Sequence, residues 1–391
     1  MSETNSGKRQ IGDDAQNVIE GYLSQVKQAG FIQDFVSNYY AGYAGKEKKQ
    51  FYAPFLVELK SGEKWIIYST TSLRDRIKGC YWDAENLIAA DETIKTAYIV
   101  YLDGISDKEK KRFEKLRKRI KEGKIYCPIS DVLPFSEFQN LMRGIGTEGK
   151  SSGYVKGADG RAFEARVASA LRNKANLRVL KGKTGDSMTS DMEILEAFLD
   201  AIGVKPADVS YILAYSDSDH IKKLPSGGPP KTDVLCYIVK TDGTQIVETI
   251  SCKNTDGDSV SVGQHKADDI CDAIDPSNDE LRNLLNKWQI EGTLSAFSEA
   301  DSARLTELLN PLMEKFCNYV IGGVGGLGDQ TTQWARYVIV CHADPNDIDV
   351  YTLQKYVEQL LAQPTEHYGT PFSWTYASKS KGKNIQFKVS V

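Results

Sequence analysis

Residues 231–274 read KTDVLCYIVKTDGTQIVETISCKNTDGDSVSVGQHKADDICDAI, and this stretch decides the fold. It divides into a strand, a tight turn at Thr241-Asp242-Gly243, a second strand ending in Ser251-Cys252-Lys253, a short polar link and a helix. Both strands are rich in Val, Ile, Tyr and Thr, and an Asp-Gly pair between two such runs is the strongest short-range hairpin signal. A hairpin sets the start of its first strand beside the end of its second, so Asp233 and Lys253 become neighbours. Side chains alternate along a strand: Thr249, Ser251 and Lys253 share one face, and Glu248, Ile250 and Cys252 the other. With the apolar members of the second set in the core, Ser251 and Lys253 face the Asp233 site.

Asp233, the hairpin, Ser-Cys-Lys, then Asn254-Thr255 and Val260-Ser261-Val262-x-Gln264 together resemble the active-site segment of the PD-(D/E)XK nucleases, most closely type II restriction endonucleases of the MspI and HpaII kind. The resemblance covers residues 161–391, and the hairpin is its specific part. It departs from the usual pattern at Ser251, where a second carboxylate commonly precedes the lysine by two. Hydrolysing a phosphodiester needs a hard cation on oxygen ligands, an activated water and positive charge beside the developing oxyanion. The resemblance implies that Asp233 holds Mg²⁺ with the Cys252 carbonyl and the Ser251 hydroxyl. It implies that Lys253 orients or deprotonates the water and offsets transition-state charge. It also gives Glu164, on a helix opening at residue 160, the place of a glutamate near the metal. Without the family pattern, the same hairpin reads as a half-exposed strand pair with a surface lysine.

Length and composition agree with a globular enzyme. A chain of 391 residues has room for two or three cores, and 41% hydrophobic with 26% charged residues excludes wholesale disorder. A net charge of −4 does not advertise nucleic-acid binding, so the distribution of charge is the better guide. Residues 107–124 carry ten Lys/Arg against four Asp/Glu on a helical pattern. This reads either as a solvated face laced by i,i+4 pairs or as a phosphate-contacting one. Seven scattered cysteines without CxxC or zinc spacing indicate a reduced, cytoplasmic compartment. No segment has the length of a membrane span, and residues 1–14 lack an apolar signal core.

The expected architecture is α/β: a mixed-sheet, restriction-endonuclease-like nuclease domain with a smaller N-terminal α/β domain. Residues 1–14 read as a flexible tail, and residues 15–145 as an N-terminal domain suited to DNA recognition. The Gly/Ser-rich run at 146–160 reads as a linker, and residues 161–391 as the nuclease domain with a helical insertion at 278–320. Within 15–43 the apolar spacing predicts two amphipathic helices broken near Gly30. Residues 51–103 give a strand pair turning at Ser61-Gly62, a helix and another strand. That order parallels the central hairpin, with Tyr68-Ser69-Thr70-Thr71 in the place of Ile250-Ser251-Cys252-Lys253. Such a domain reads either as a degenerate nuclease unit used for binding or as a small α/β domain sharing a common motif by chance. Gln264, His265, Asp268 and Asp269 are expected on one helix, and Asp268 or Asp269 could replace the missing carboxylate. Asp217, Asp219 and His220 read as a turn or a metal cluster, and the glycines of 322–328 as a loop.

The candidate DNA contacts are Arg74, Arg76, Lys78, Asn254, Gln264 and the C-terminal turn lysines Lys379, Lys381 and Lys383. The function so indicated is Mg²⁺-dependent, sequence-specific cleavage of double-stranded DNA, with a homodimer suited to a palindromic target. A methylation-dependent or repair nuclease of the same fold, a catalytically inactive DNA-binding protein and a nucleotide-binding enzyme are the alternatives.

Overall fold

The computed structural model describes residues 5–42, 50–73, 77–125, 127–182, 189–254, 259–344, 346–377 and 381–390. They fall into two compact units, Met1–Met192 and Glu193–Val391. The first runs α1 (Asn5–Ala29), β1 (Asp34–Gly42), β2 (Gln50–Glu58), β3 (Lys64–Ser69), α2 (Ile77–Ala90), β4 (Ile94–Tyr101), α3 (Asp107–Lys121), β5 (Asp131–Pro134), α4 (Phe135–Thr147), α5 (Ser152–Arg172) and α6 (Lys174–Leu180). Its sheet has the order β1-β2-β3-β4-β5, antiparallel through β3 and parallel from β3 onward.

Strand alternation sends Phe55, Val57, Trp65, Ile67 and Val100 to a core shared with Ile19, Leu23, Phe138 and Met142. Ile66, Tyr68, Ile99 and Tyr101 go the other way, onto Ala84, Leu87 and Phe113. Both faces of the sheet are therefore covered by helices. Each large side chain taken out of water on these faces contributes about 1.5–3 kcal/mol.

Three expectations about this half change. Residues 5–14 are not a tail but the start of α1, and Asp14 is buried with the Arg178 guanidinium 2.6 Å away. Residues 15–43 hold one helix and one strand: Gly30 ends α1 at φ 77°, and Phe35 and Tyr39 belong to β1. Their spacing of four fits a strand face as well as a helix. The stretch at 146–160 lies mostly in helices α4 and α5, and the units part at Met192 instead. Packing overrides the glycine signal there, because Gly146 lies against the Phe31 ring and α5 packs along α1.

The second unit runs α7 (Met192–Ala201), β6 (Val209–Tyr215), β7 (Val234–Lys240), β8 (Gln245–Asn254), β9 (Ser259–His265), α8 (Ala267–Ile274), α9 (Asp279–Glu291), α10 (Glu299–Leu309), α11 (Met313–Gly322), β10 (Tyr337–Cys341), β11 (Ile348–Thr352), α12 (Leu353–Leu361), β12 (Ser373–Thr375) and β13 (Ile385–Ser390). Its main sheet has the order β11-β10-β8-β7-β6, with β8 and β10 parallel, and a smaller sheet has the order β12-β13-β9. The helices of 278–320 help build the core, where Trp288, Phe316, Phe372, Trp374 and Phe387 pack together. The rings of Trp374 and Phe387 meet edge to face at 5.0 Å, and Trp288 Nε1 donates to the Tyr368 hydroxyl at 2.7 Å.

Gln264 and His265 lie on β9, not on the helix expected there; Asp268 and Asp269 do lie on α8. The pairing that makes β9 a strand comes from β13, about 120 residues later, which local pattern does not show. Among the described residues, no helix is long and apolar enough to cross a membrane, and all seven cysteines are free.

Asp91, between α2 and β4, accepts from Thr93 and pairs with Lys64 at 2.9 Å, and these contacts hold its carboxyl down to about 2 from an ordinary 3.8. A depressed carboxyl stabilises the fold above its unfolded pKa, and that contribution disappears as pH falls from 3.8 through about 2. Asp91→Asn is expected to cost up to about 1 kcal/mol at neutral pH and to flatten the acid limb of the stability curve. Urea unfolding as a function of pH checks both.

Candidate active site

The site is built by register. Strands β7 and β8 pair with Val234 opposite Ile250, and the Asp233 amide donates to the Ile250 carbonyl at 2.8 Å, so Asp233 sits at the open end of the hairpin. On its other side β8 lies along β10, with Ser251 beside Val338 and Lys253 beside Val340. The Thr249 hydroxyl donates to the Trp334 carbonyl at 2.6 Å, and the Arg336 amide donates to the Thr249 carbonyl at 3.0 Å. The strand end is thus fixed from both sides.

This geometry collects the residues picked from the sequence. Asp233 Oδ2 accepts from the Ser251 hydroxyl at 3.1 Å and from the Cys252 amide at 2.7 Å. Lys253 Nζ donates to Ser251 Oγ at 2.6 Å and to the Cys252 carbonyl at 3.3 Å, and it stands 3.8 Å from Asp233 Oδ2. Lys253 is 8% exposed and Ser251 fully buried, while the Asp233 side chain remains 26% accessible. Among the described residues Asp233 Oδ1 has no hydrogen-bond partner. One correction concerns the faces: the face of Ser251 and Lys253 is the buried one, and Cys252 on the other face is half-exposed.

Lys231 has no signature in the sequence, and His265, expected on a helix, joins it from β9. The Lys231 ammonium turns inward to the Val262 carbonyl at 2.9 Å, where β9 carries an extra residue relative to β13. Burial pushes the Lys231 pKa down to about 7, the Lys253 charge acts in the same direction, and Asp233 opposes them. His265 is held well below its ordinary value by burial and by Lys231, and its Nδ1 lies 3.1 Å from the Tyr319 hydroxyl. The bulge at Val262 receives Lys231, a contact that no local sequence pattern marks.

The remaining candidates are placed on their own elements. Glu164 lies on α5 in the first unit and accepts from Gln28 Nε2 at 3.2 Å. Asp268 takes up Arg282 and Asn286, so it serves a surface network instead of joining Asp233. The Asp217 carboxylate caps its own turn and lies 2.8 Å from His220 Nδ1, whose ring stacks on Tyr215; this is turn chemistry. Among the described residues no group of three His, Cys, Asp or Glu could hold a metal. Asn254 and Gln264 are exposed at the end of β8 and on β9, as are Lys78 on α2 and Lys381 and Lys383 before β13. Arg74, Arg76 and Lys379 lie outside the described residues. In the loop at 322–328 the chain passes so close to α8 that a Cβ on Gly325 would lie 2.8 Å from the Ala273 carbonyl oxygen. Packing accounts for that glycine.

A three-stranded meander extended by a parallel strand, with an acid opening the middle strand and a lysine closing the third, defines a restriction-endonuclease-like nuclease. The chain belongs to the restriction endonuclease MspI family, whose pattern matches residues 143–389, and is a type II, site-specific deoxyribonuclease. It is 26% identical to the type II restriction enzyme BsuFI of Bacillus subtilis over 404 aligned positions, covering 99% of each chain. It is 24% identical to the type II restriction enzyme MspI of Moraxella sp over 237 positions, covering 59% of this chain and 88% of that one. The crystal structure of MspI in complex with its cognate DNA shares the fold, with a TM-score of 0.51 at 20% identity over 72% of this chain and 99% of that one.

Ser251→Ala would leave the nearly buried Lys253 amino group without its shortest acceptor. The expected cost is about 1–3 kcal/mol of stability, measured by denaturant titration, together with slower DNA cleavage.

Proposed function

We propose that the chain hydrolyses phosphodiester bonds of double-stranded DNA at a defined sequence with Mg²⁺ as its working ion. The observation that carries this is the run of contacts from Asp233 through Ser251 to Lys253 at the open end of the hairpin. Asp233, the Cys252 carbonyl and the Ser251 hydroxyl are hard oxygen donors. A site with one carboxylate suits an ion that keeps several waters and is completed by substrate phosphate. Bound there, Mg²⁺ would supply Lewis acidity at the phosphoryl oxygens and acidify a water.

The protein's own groups do the rest. Lys253 orients the attacking water and offsets the charge that gathers on the non-bridging oxygens as the new P–O bond forms and the bridging one breaks. Ser251 holds Lys253 in place, and the Cys252 amide holds Asp233. Exposed Asn254 and Gln264 are suited to base-edge hydrogen bonds, and Lys381 and Lys383 to phosphates. Cutting both strands takes two attacks, which a symmetric pair of chains on a palindromic target would deliver. Seven free cysteines suit a reducing cytoplasm.

Digestion of long unmodified DNA in Mg²⁺ tests the proposal. Native protein is expected to give discrete fragments, and Asp233→Asn and Lys253→Ala to lower the rate about a hundredfold or more while DNA binding survives. Discrete fragments persisting in both variants would move the active site elsewhere, and binding without any cleavage by the native chain would make it a DNA-binding protein. Gln264→Ala is expected to relax sequence preference at one position by about 1–3 kcal/mol, read from cleavage of single-base variants of the target.

A further inference from the structure

The two units repeat one another. Each begins with a helix, continues through a three-stranded antiparallel meander, and adds a parallel strand beside the third after a helical crossover: α1, β1–β3, α2, β4 in the first, and α7, β6–β8, a longer connection through β9 and α8–α11, then β10 in the second. The central hairpins turn alike. Leu59 N donates to the Glu63 carbonyl at 2.8 Å and Gly62 N to the Leu59 carbonyl at 2.9 Å; Lys240 N donates to the Thr244 carbonyl at 2.8 Å and Gly243 N to the Lys240 carbonyl at 3.1 Å. Gly62 and Gly243 have φ of 84° and 86°. Ser61 Oγ receives the Glu63 amide, just as Asp242 Oδ1 receives the Thr244 amide.

Counted back from these turns through the paired registers, Tyr52 stands where Asp233 does, Thr70 where Ser251 does, and Ser72 where Lys253 does. This corrects by one residue the alignment that sequence order suggests. The first unit keeps the nuclease framework and lacks its acid and its lysine at the matching places.

Positive charge gathers instead at the corresponding edge. Strands β3 and β4 are parallel, so α2 and α3, which follow them, both begin at the sheet edge that carries the cluster in the second unit. Lys78 lies in the first turn of α2, and Lys108, Lys110 and Lys111 open α3. Leu73 N donates to Glu109 Oε2 at 3.3 Å, which ties the end of the hairpin segment to α3. Farther along α3 the cations are largely matched: Arg117 holds Asp131 and Glu137, Lys121 faces Asp131, and Lys118 faces Glu122. Lys78, Lys108, Lys110 and Lys111 are exposed, and among the described residues none has an ion pair. Asp107 and Glu109 share the first turn of α3 and answer its dipole, and Glu109 is held by Arg112 and the Leu73 amide, so the four lysine heads remain turned to solvent.

We propose that the N-terminal unit is a second, non-catalytic copy of the nuclease core that grips the DNA backbone through Lys78, Lys108, Lys110 and Lys111. The proposal rests on the reading of the chain as a DNA endonuclease. The test uses the full-length chain with Lys78, Lys108, Lys110 and Lys111 replaced by Gln, and the same four replaced by Arg. Binding to a short mixed-sequence duplex is measured against salt concentration without divalent metal, and cleavage of long unmodified DNA is measured in Mg²⁺ at saturating protein.

The Gln variant is expected to lose about two to four units of the slope of log K against log salt, with roughly tenfold or more lost in affinity at moderate salt. The Arg variant should keep both, and cleavage at saturation should stay within about twofold of native. An unchanged slope and affinity in the Gln variant would overturn the proposal, as would loss of saturated cleavage with binding intact. Absence of discrete fragments from the native chain would instead count against the endonuclease reading and leave the binding result to stand by itself.

Discussion

The lysine at the end of β8 is the constraint on which the second unit depends. An amino group only 8% exposed must have its hydrogen bonds and charge answered nearby, or it destabilises the fold by several kcal/mol. Ser251 Oγ, the Cys252 carbonyl and the Asp233 carboxylate answer it within 3.8 Å. Their positions follow from one register, Val234 opposite Ile250, and a slip of one residue would turn Ser251 and Lys253 to the opposite face. The framework that fixes this register, β7 on one side and β10 on the other, is therefore part of the site. The same stiffness suits chemistry, because a preorganised donor need not be moved into place when charge develops.

Around that point the second unit invests in burial and the first in coverage. The aromatic group of Trp288, Phe316, Trp374 and Phe387 joins the helices of 278–320 to the small sheet, whose strand β9 carries the bulge that receives Lys231. A segment that looks like an insertion in the sequence thus helps to shape the surroundings of the site. In the first unit helices cover both faces of the sheet, which leaves the edges and the helix starts for contact with other molecules. A shared topology with different residues at the matching edge is the framework on which the proposed hydrolysis and the proposed DNA grip would each be built.

The sequence by itself determined the hairpin with its Asp-Gly turn, the apolar strand at Tyr337–Cys341 and the C-terminal hairpin, because each shows as alternation or an apolar run along one strand, and the family resemblance pointed to Asp233, Ser251 and Lys253, which the register brings together. The family resemblance of that segment agrees with the match over residues 143–389. Tertiary structure decided the rest. Phe35 and Tyr39 fit helix and strand spacing equally, and only pairing with β2 makes them a strand. Gly146, Gly153 and Gly157 signal a linker locally, yet packing against α1 and the Phe31 ring favours helix there. Gln264 and His265 become strand residues through a partner near the chain's end, and Lys231 turns inward because a bulge leaves the Val262 carbonyl to be satisfied. Local propensities differ by a fraction of a kcal/mol per residue, whereas one buried side chain contributes about 1.5–3, so distant packing prevails wherever the two disagree.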